Sequence, residues 1–183
     1  MNSQYDKTLL KASGEDVFFS ANVEVRQPQL VSVGNHTKID SYLYLTTSAE
    51  IGDYVHLATG AMIIGSARGR FVMNHFSTLS IGGRIICGSD EHKGYGLVGP
   101  TIPEEFHDRL IIEPVVFGRF ANVGASVTIL PGVTLGEGSV VGAYSLVNKD
   151  TAPWTIYVGV PARPVGNRPS GKMLEYAKQL GYE

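Results

Sequence analysis

An all-β fold, a three-sided parallel β-helix, is predicted by three observations on this 183-residue chain. An apolar residue recurs at every sixth position. Glycine often follows it directly, and a small or β-branched residue sits four places on. The apolar frame runs Val33, Ile39, Leu45, Ile51, Leu57, Ile63, slips, resumes as Met73, Leu79, Ile85, breaks, and returns as Phe117, Val123, Ile129, Leu135, Val141, Val147. With 43% hydrophobic residues overall, such a run arises by chance at roughly a few in a million before choice of frame. Helical spacing cannot produce it. A period of six suits short strands joined by tight bends, where glycine tolerates unusual dihedrals.

Three such strands make one turn, and stacked turns bury one another's apolar faces, so no turn is stable alone. The frame gives turns at 33–50, 51–72, 73–116, 117–134 and 135–150, with an irregular earlier turn around "DVFFSANVEV". The reading is one domain over 1–183, with the β-helix at 16–150 and a C-terminal tail at 151–183. In the tail, "SGKMLEYAKQLGYE" predicts a short helix that covers an open end of the prism. Ser170 is its N-cap, Met173, Leu174, Ala177 and Leu180 form its apolar face, and Gly181 ends it.

The regularity fails twice after the third strand of a turn: briefly at "GSARGR", and at length over 87–114, "CGSDEHKGYGLVGPTIPEEFHDRLIIEP". Both insertions leave the same edge, one turn apart. A long loop with no structure of its own is uncommon unless it binds something or packs on a neighbour. His92 lies in this loop beside Asp90 and Glu91, acceptors able to fix a tautomer and raise basicity. His56 precedes the inward Leu57 and therefore points out from the second side. His36, His75 and His107 read as solvated polar groups.

Composition bounds the rest. A formal net charge of -2 with scattered Lys and Arg argues against nucleic acid as a partner. No long apolar run predicts membrane insertion, and the N-terminal residues lack a signal-peptide core, so a cytoplasmic protein is expected. The lone Cys87 cannot form an intramolecular disulfide and reads as a small packing residue.

The hexad pattern, together with "NVGASVTILPGVTLGEGSVVGAYSLVNKDTAPWTIYVGVPARPV" and the loop "SDEHKGYGLVGPTIPEEF", resembles the hexapeptide-repeat acyltransferases that use acetyl-CoA, in the branch acting on sugars and nucleotide-linked sugars of bacterial surface polysaccharides. That resemblance implies a left-handed coil and a homotrimer with active sites between subunits. It also implies acetyl-CoA as acyl donor, no metal, and a histidine in the loop that deprotonates the acceptor hydroxyl. The nearest match to that histidine is His92, two residues later than an ungapped count places it, where Asp90 stands; the position of an outward aromatic in related enzymes reads His56. The catalytic candidates are therefore His92, His56 and Asp90. The cofactor candidates are the backbone amides of Ala125 and Ala143, with Asn148, Lys149 and Arg163 toward the coenzyme phosphates, and Arg168 as a further arginine. Tyr95, Glu104 and Glu105 are placed to shape the acceptor pocket. Two other readings stand beside this one. A zinc carbonic anhydrase on the same coil needs three converging histidines, and a non-catalytic trimeric scaffold needs neither the loop nor the tail.

Overall fold

In the computed structural model, which describes residues 4–183, the six-residue frame becomes three parallel sheets. The first face stacks Ala12–Ser13, Val31–Val33, Ser48–Ile51, Arg70–Met73, Val115–Phe117 and Thr134–Leu135. The second carries Phe18–Phe19, Lys38–Ile39, His56–Leu57, Thr78–Leu79, Asn122–Val123, Val140–Val141 and Thr155–Val158. Glu24–Val25, Tyr44–Leu45, Met62–Ile64, Arg84–Ile86, Thr128–Ile129 and Leu146–Val147 form the third. Register is kept from turn to turn: Lys38 pairs with His56, His56 with Thr78, Thr78 with Asn122, and Asn122 with Val140.

Every position of the apolar frame is buried, and so are the small residues four places on, from Thr37 to Ser145. Phe71 and Phe117, on adjacent turns, meet edge to face with centroids 5.3 Å apart. The strands begin earlier and end later than the frame indicated. Residues 12–25 form a complete turn on their own. Thr155–Val158 adds a further parallel strand beyond 150, closed by antiparallel Arg163–Asn167. The sixfold pattern fades at both ends because an end turn packs against a neighbour on one side only.

The corner between the first and second faces holds a feature the frame did not reveal. His36, Tyr54, Phe76, Phe120 and Trp154 all have positive φ, a conformation that costs a non-glycine residue about 1–2 kcal/mol. Their rings compensate by stacking, with centroids 4.7 Å apart for His36 and Tyr54, 5.2 Å for Tyr54 and Phe76, 5.2 Å for Phe76 and Phe120, and 5.7 Å for Phe120 and Trp154. Backbone bonds climb the same corner, from Tyr54 N–H to Asn35, Phe76 to Asp53, and Phe120 to His75. Gly138 interrupts the ring column, and a Cβ there would overlap the Trp154 indole.

The C-terminal helix, Gly171–Gln179, does not act as the predicted end cover. Ser170 has helical dihedrals and makes no side-chain capping bond. Of the four residues expected on a buried face, Ala177 alone is fully buried; Leu174 and Leu180 are exposed. The tail instead runs along the aromatic corner. Arg168 N–H reaches Trp154 O at 2.7 Å, its guanidinium donates to the Phe120 and Gly138 carbonyls, and Tyr182 lies against Tyr54, His75 and Phe76. Helical periodicity identified an apolar side but not the surface it would meet.

Candidate active site

The two insertions do leave one edge. Ile63 pairs with Ile85, and a Cβ on Gly88 would lie 3.1 Å from Gly65 Cα. The long insertion is not structureless, however. Gly88–Asp90 pairs antiparallel with Leu110–Ile112 as a two-stranded stem, and a 3-10 turn spans Glu104–Phe106. Across the excursion Leu97 N–H donates to Phe106 O and Asp108 N–H to Leu97 O, both at 2.8 Å. Gly96 permits this closeness, since a Cβ there would come 2.5 Å from the Asp108 nitrogen.

The stem delivers Asp90 into a partly closed polar cluster. Asp90 Oδ1 is buried without a hydrogen-bond partner, 3.4 Å from His107 Nε2. The structure thus pairs Asp90 with His107, and His107 is not the solvated polar group its sequence position suggests. No sequence pattern marks this pairing; the antiparallel stem of 88–90 with 110–112 carries the residues just before Leu110 back toward Asp90. His92 is exposed, with positive φ, and its Nε2 meets Ser89 Oγ at 3.3 Å. Neither expected acceptor serves it, because Glu91 binds Lys93 Nζ at 2.8 Å and Asp90 faces the other way.

His56 projects from the second face as expected, its Nε2 2.9 Å from Asp40 Oδ2, with Lys38 Nζ 3.3 Å from the other oxygen. Burial by itself pushes the Asp40 carboxyl up, but hydrogen bonds and charge from His56 and Lys38 outweigh it and hold that carboxyl below the usual range. His56 and the Asp90 loop belong to different faces, and among the described residues His56 pairs with Asp40 while Asp90 faces His107. His36 and His75 lie at the aromatic corner, where His75 Nδ1 accepts the Asp53 N–H at 2.8 Å. Among the described residues no group of three His, Cys, Asp or Glu is placed to hold a metal ion.

The cofactor candidates border the third face. Ala125 and Ala143 occupy successive turns at its leading corner, where Tyr144 N–H donates to Ala125 O at 2.9 Å. Asn148 and Lys149 are exposed and follow Leu146–Val147, on the edge from which the long loop springs. Ala162 N–H bonds Leu146 O at 2.8 Å, which brings the exposed Arg163 over the same face. Tyr95, Glu104 and Glu105 are exposed on the loop.

No family model matches the chain. A dTDP-4-amino-4,6-dideoxy-D-glucose acyltransferase of Escherichia coli is 30% identical over 168 residues, covering 90% of this chain and 85% of that one. AntD, an N-acyltransferase from Bacillus cereus solved with dTDP and 3-hydroxybutyryl-CoA, superposes with a TM-score of 0.91 at 30% identity, covering 99% of this chain and 98% of its own. The hexapeptide-repeat acetyltransferase VCA0836 of Vibrio cholerae shares the fold, with a TM-score of 0.57 at 21% identity over 89% of this chain and 77% of that one. The stacked coil with its edge loop is thus the scaffold of CoA-dependent acyl transfer. This chain belongs to the hexapeptide-repeat acyltransferases, alongside enzymes that act on dTDP-linked amino sugars.

Proposed function

We propose that the protein transfers an acyl group from acyl-CoA to the amino group of a nucleotide-linked amino sugar. One observation carries the reading: the fold match to an N-acyltransferase extends over nearly the whole chain, loop included, and a further AntD structure holds dTDP-4-amino-4,6-dideoxyglucose beside coenzyme A. The amine lone pair attacks the thioester carbonyl carbon and forms the C–N bond. The C–S bond then breaks, and the thiolate departs with the electron pair. The proton shed by the nitrogen passes to an acceptor in the loop and from there to sulfur.

Asp90 is the acceptor this reading favours. Its carboxylate sits in the loop at the insertion edge, with an oxygen withheld from water and from protein donors. Positioned proton transfer of this kind is worth about 10² to 10⁴ in rate. His92 and His56 are the competing acceptors. Backbone N–H groups at Ala125 and Ala143 suit the amides of extended pantetheine, and Lys149, Arg163 and Asn148 suit the coenzyme phosphates. The reading includes a homotrimer. Tyr95, Leu97, Val98, Phe106 and Leu110 leave the loop with an exposed apolar surface of the kind that marks a subunit contact. A cytoplasmic site of action and a product destined for surface polysaccharide complete it; no helix of the described residues is long and apolar enough to cross a membrane.

Release of free CoA, followed with a thiol reagent over dTDP-linked amino sugars, other nucleotide sugars and simple glycosides, tests the reading. Turnover confined to the amino sugars supports it, and no release with any acceptor overturns it. Asp90→Asn, His92→Ala and His56→Ala then identify the proton acceptor.

A further inference from the structure

His107 has both ring nitrogens committed to carbonyl oxygens. Nδ1 lies 2.8 Å from Asp108 O and Nε2 lies 2.9 Å from Gly99 O. A carbonyl can only accept, so both nitrogens must bear hydrogen, and an imidazole with two N–H groups is a cation. Beside Nε2, at 3.4 Å, stands the buried and otherwise unpartnered Oδ1 of Asp90. A buried carboxylate oxygen without a donor is unfavourable unless positive charge faces it, and this ring supplies that charge.

We propose that His107 is a resident imidazolium that orients the Asp90 carboxylate and pins the Gly99 segment to the stem, acting as a positioning residue for acyl transfer. The proposal rests on the reading that the loop carries the proton acceptor. The charged groups facing the ring are Asp90 from the stem and Asp108 next to it in the chain; residues 97–103 contain no titratable side chain. The Asp108 carbonyl is the main influence raising the His107 pKa above its usual value; burial opposes it, and the Gly99 carbonyl and the two carboxylates add to the rise. The sign follows. The pinned arrangement is complete below the ordinary histidine value of about 6.5, and it loosens as pH climbs through the raised folded value.

The experiment pairs nitrogen-15 NMR of the ring on the free protein with steady-state kinetics, using acetyl-CoA and a dTDP-linked 4-amino sugar. The proposal expects both His107 nitrogens protonated at pH 7, and an apparent pKa that falls in Asp90→Asn. His107→Gln lowers kcat roughly 10- to 100-fold with KM for acetyl-CoA little changed, and it moves the alkaline limb of the rate profile. His107→Arg, which keeps charge and paired donors, restores part of kcat. A neutral tautomer at pH 7 in the wild-type protein overturns the proposal without need of any variant. So does a His107→Gln enzyme that melts earlier but keeps kcat and its alkaline limb, which is the behaviour of a merely structural pin. Full activity in Asp90→Asn overturns the site reading and with it the catalytic role of His107, while the NMR signal separately decides whether the charged pair exists.

Discussion

Tyr182 donates its hydroxyl hydrogen to Asp53 Oδ2 over 2.7 Å, joining residues 129 positions apart in the chain. The phenol ring closes against Tyr54, His75 and Phe76, and Arg119 holds the backbone oxygen of Glu183 beside it. These contacts anchor the tail along the aromatic corner.

Tyr182→Phe keeps the ring packing and removes this bond, at an expected cost of about 1 kcal/mol, read as a lower midpoint in urea unfolding. Burial raises the Asp53 carboxyl, but bonds from Tyr182 and the Asn35 N–H, with His75 and His36 nearby, bring it below its usual value. That stabilisation is present above the ordinary aspartate value and lost as pH falls through the depressed one. The same bond pushes the Tyr182 hydroxyl up from 10.0 to about 12, so its share is full below pH 10.0 and disappears as pH rises toward 12. The variant should lose stability relative to wild type between those limits and converge with it outside them.

Gly138→Ala tests the aromatic corner. The glycine has φ of +65°, and the added methyl would overlap the Trp154 ring, so a loss of about 2–4 kcal/mol is expected from strain and overpacking. Trp154 is the lone tryptophan, which lets its fluorescence report the disturbed corner directly. An unchanged emission spectrum and midpoint would contradict the stacking account.

Lys149→Ala and Arg163→Ala should each raise KM for acetyl-CoA about 5- to 30-fold with kcat little changed, because a phosphate contact made equally in ground and transition states affects binding alone. Added salt should shrink both effects. A fall in kcat at saturating acetyl-CoA would place these side chains at the reacting atoms instead.

Cys87 is wholly buried, and that burial pushes its thiol up to about 11. The folded protein should therefore react slowly with a thiol reagent at pH 8, and one thiol per chain should appear on denaturation. Rapid labelling of the native protein would show that the strand end carrying Cys87 opens readily.

Much of this molecule was legible in the sequence, for reasons that can be traced to particular residues. A side chain such as Leu79 or Ile129 is fixed by its own turn and the adjacent ones, so a six-residue period determines which positions are inward, where strands bend, and which edge both insertions leave. His56 was placed on the outer second face by the same local rule. The C-terminal helix was visible as an element, yet its docking was not. Met173, Leu174 and Leu180 define an apolar side, but Tyr182 and Arg168 select the surface by reaching Asp53 and Phe120 across the fold.

The sequence by itself determined the coil, the placement of its core, and the existence of an unusual loop, because repeated nearest-neighbour packing converts local spacing directly into structure. The tertiary structure alone decided that Asp90 faces His107 rather than His92, and that the tail lies along a corner rather than over an end. Those relationships depend on an antiparallel stem and on contacts between distant segments, where no period links the partners and geometry sets the chemistry.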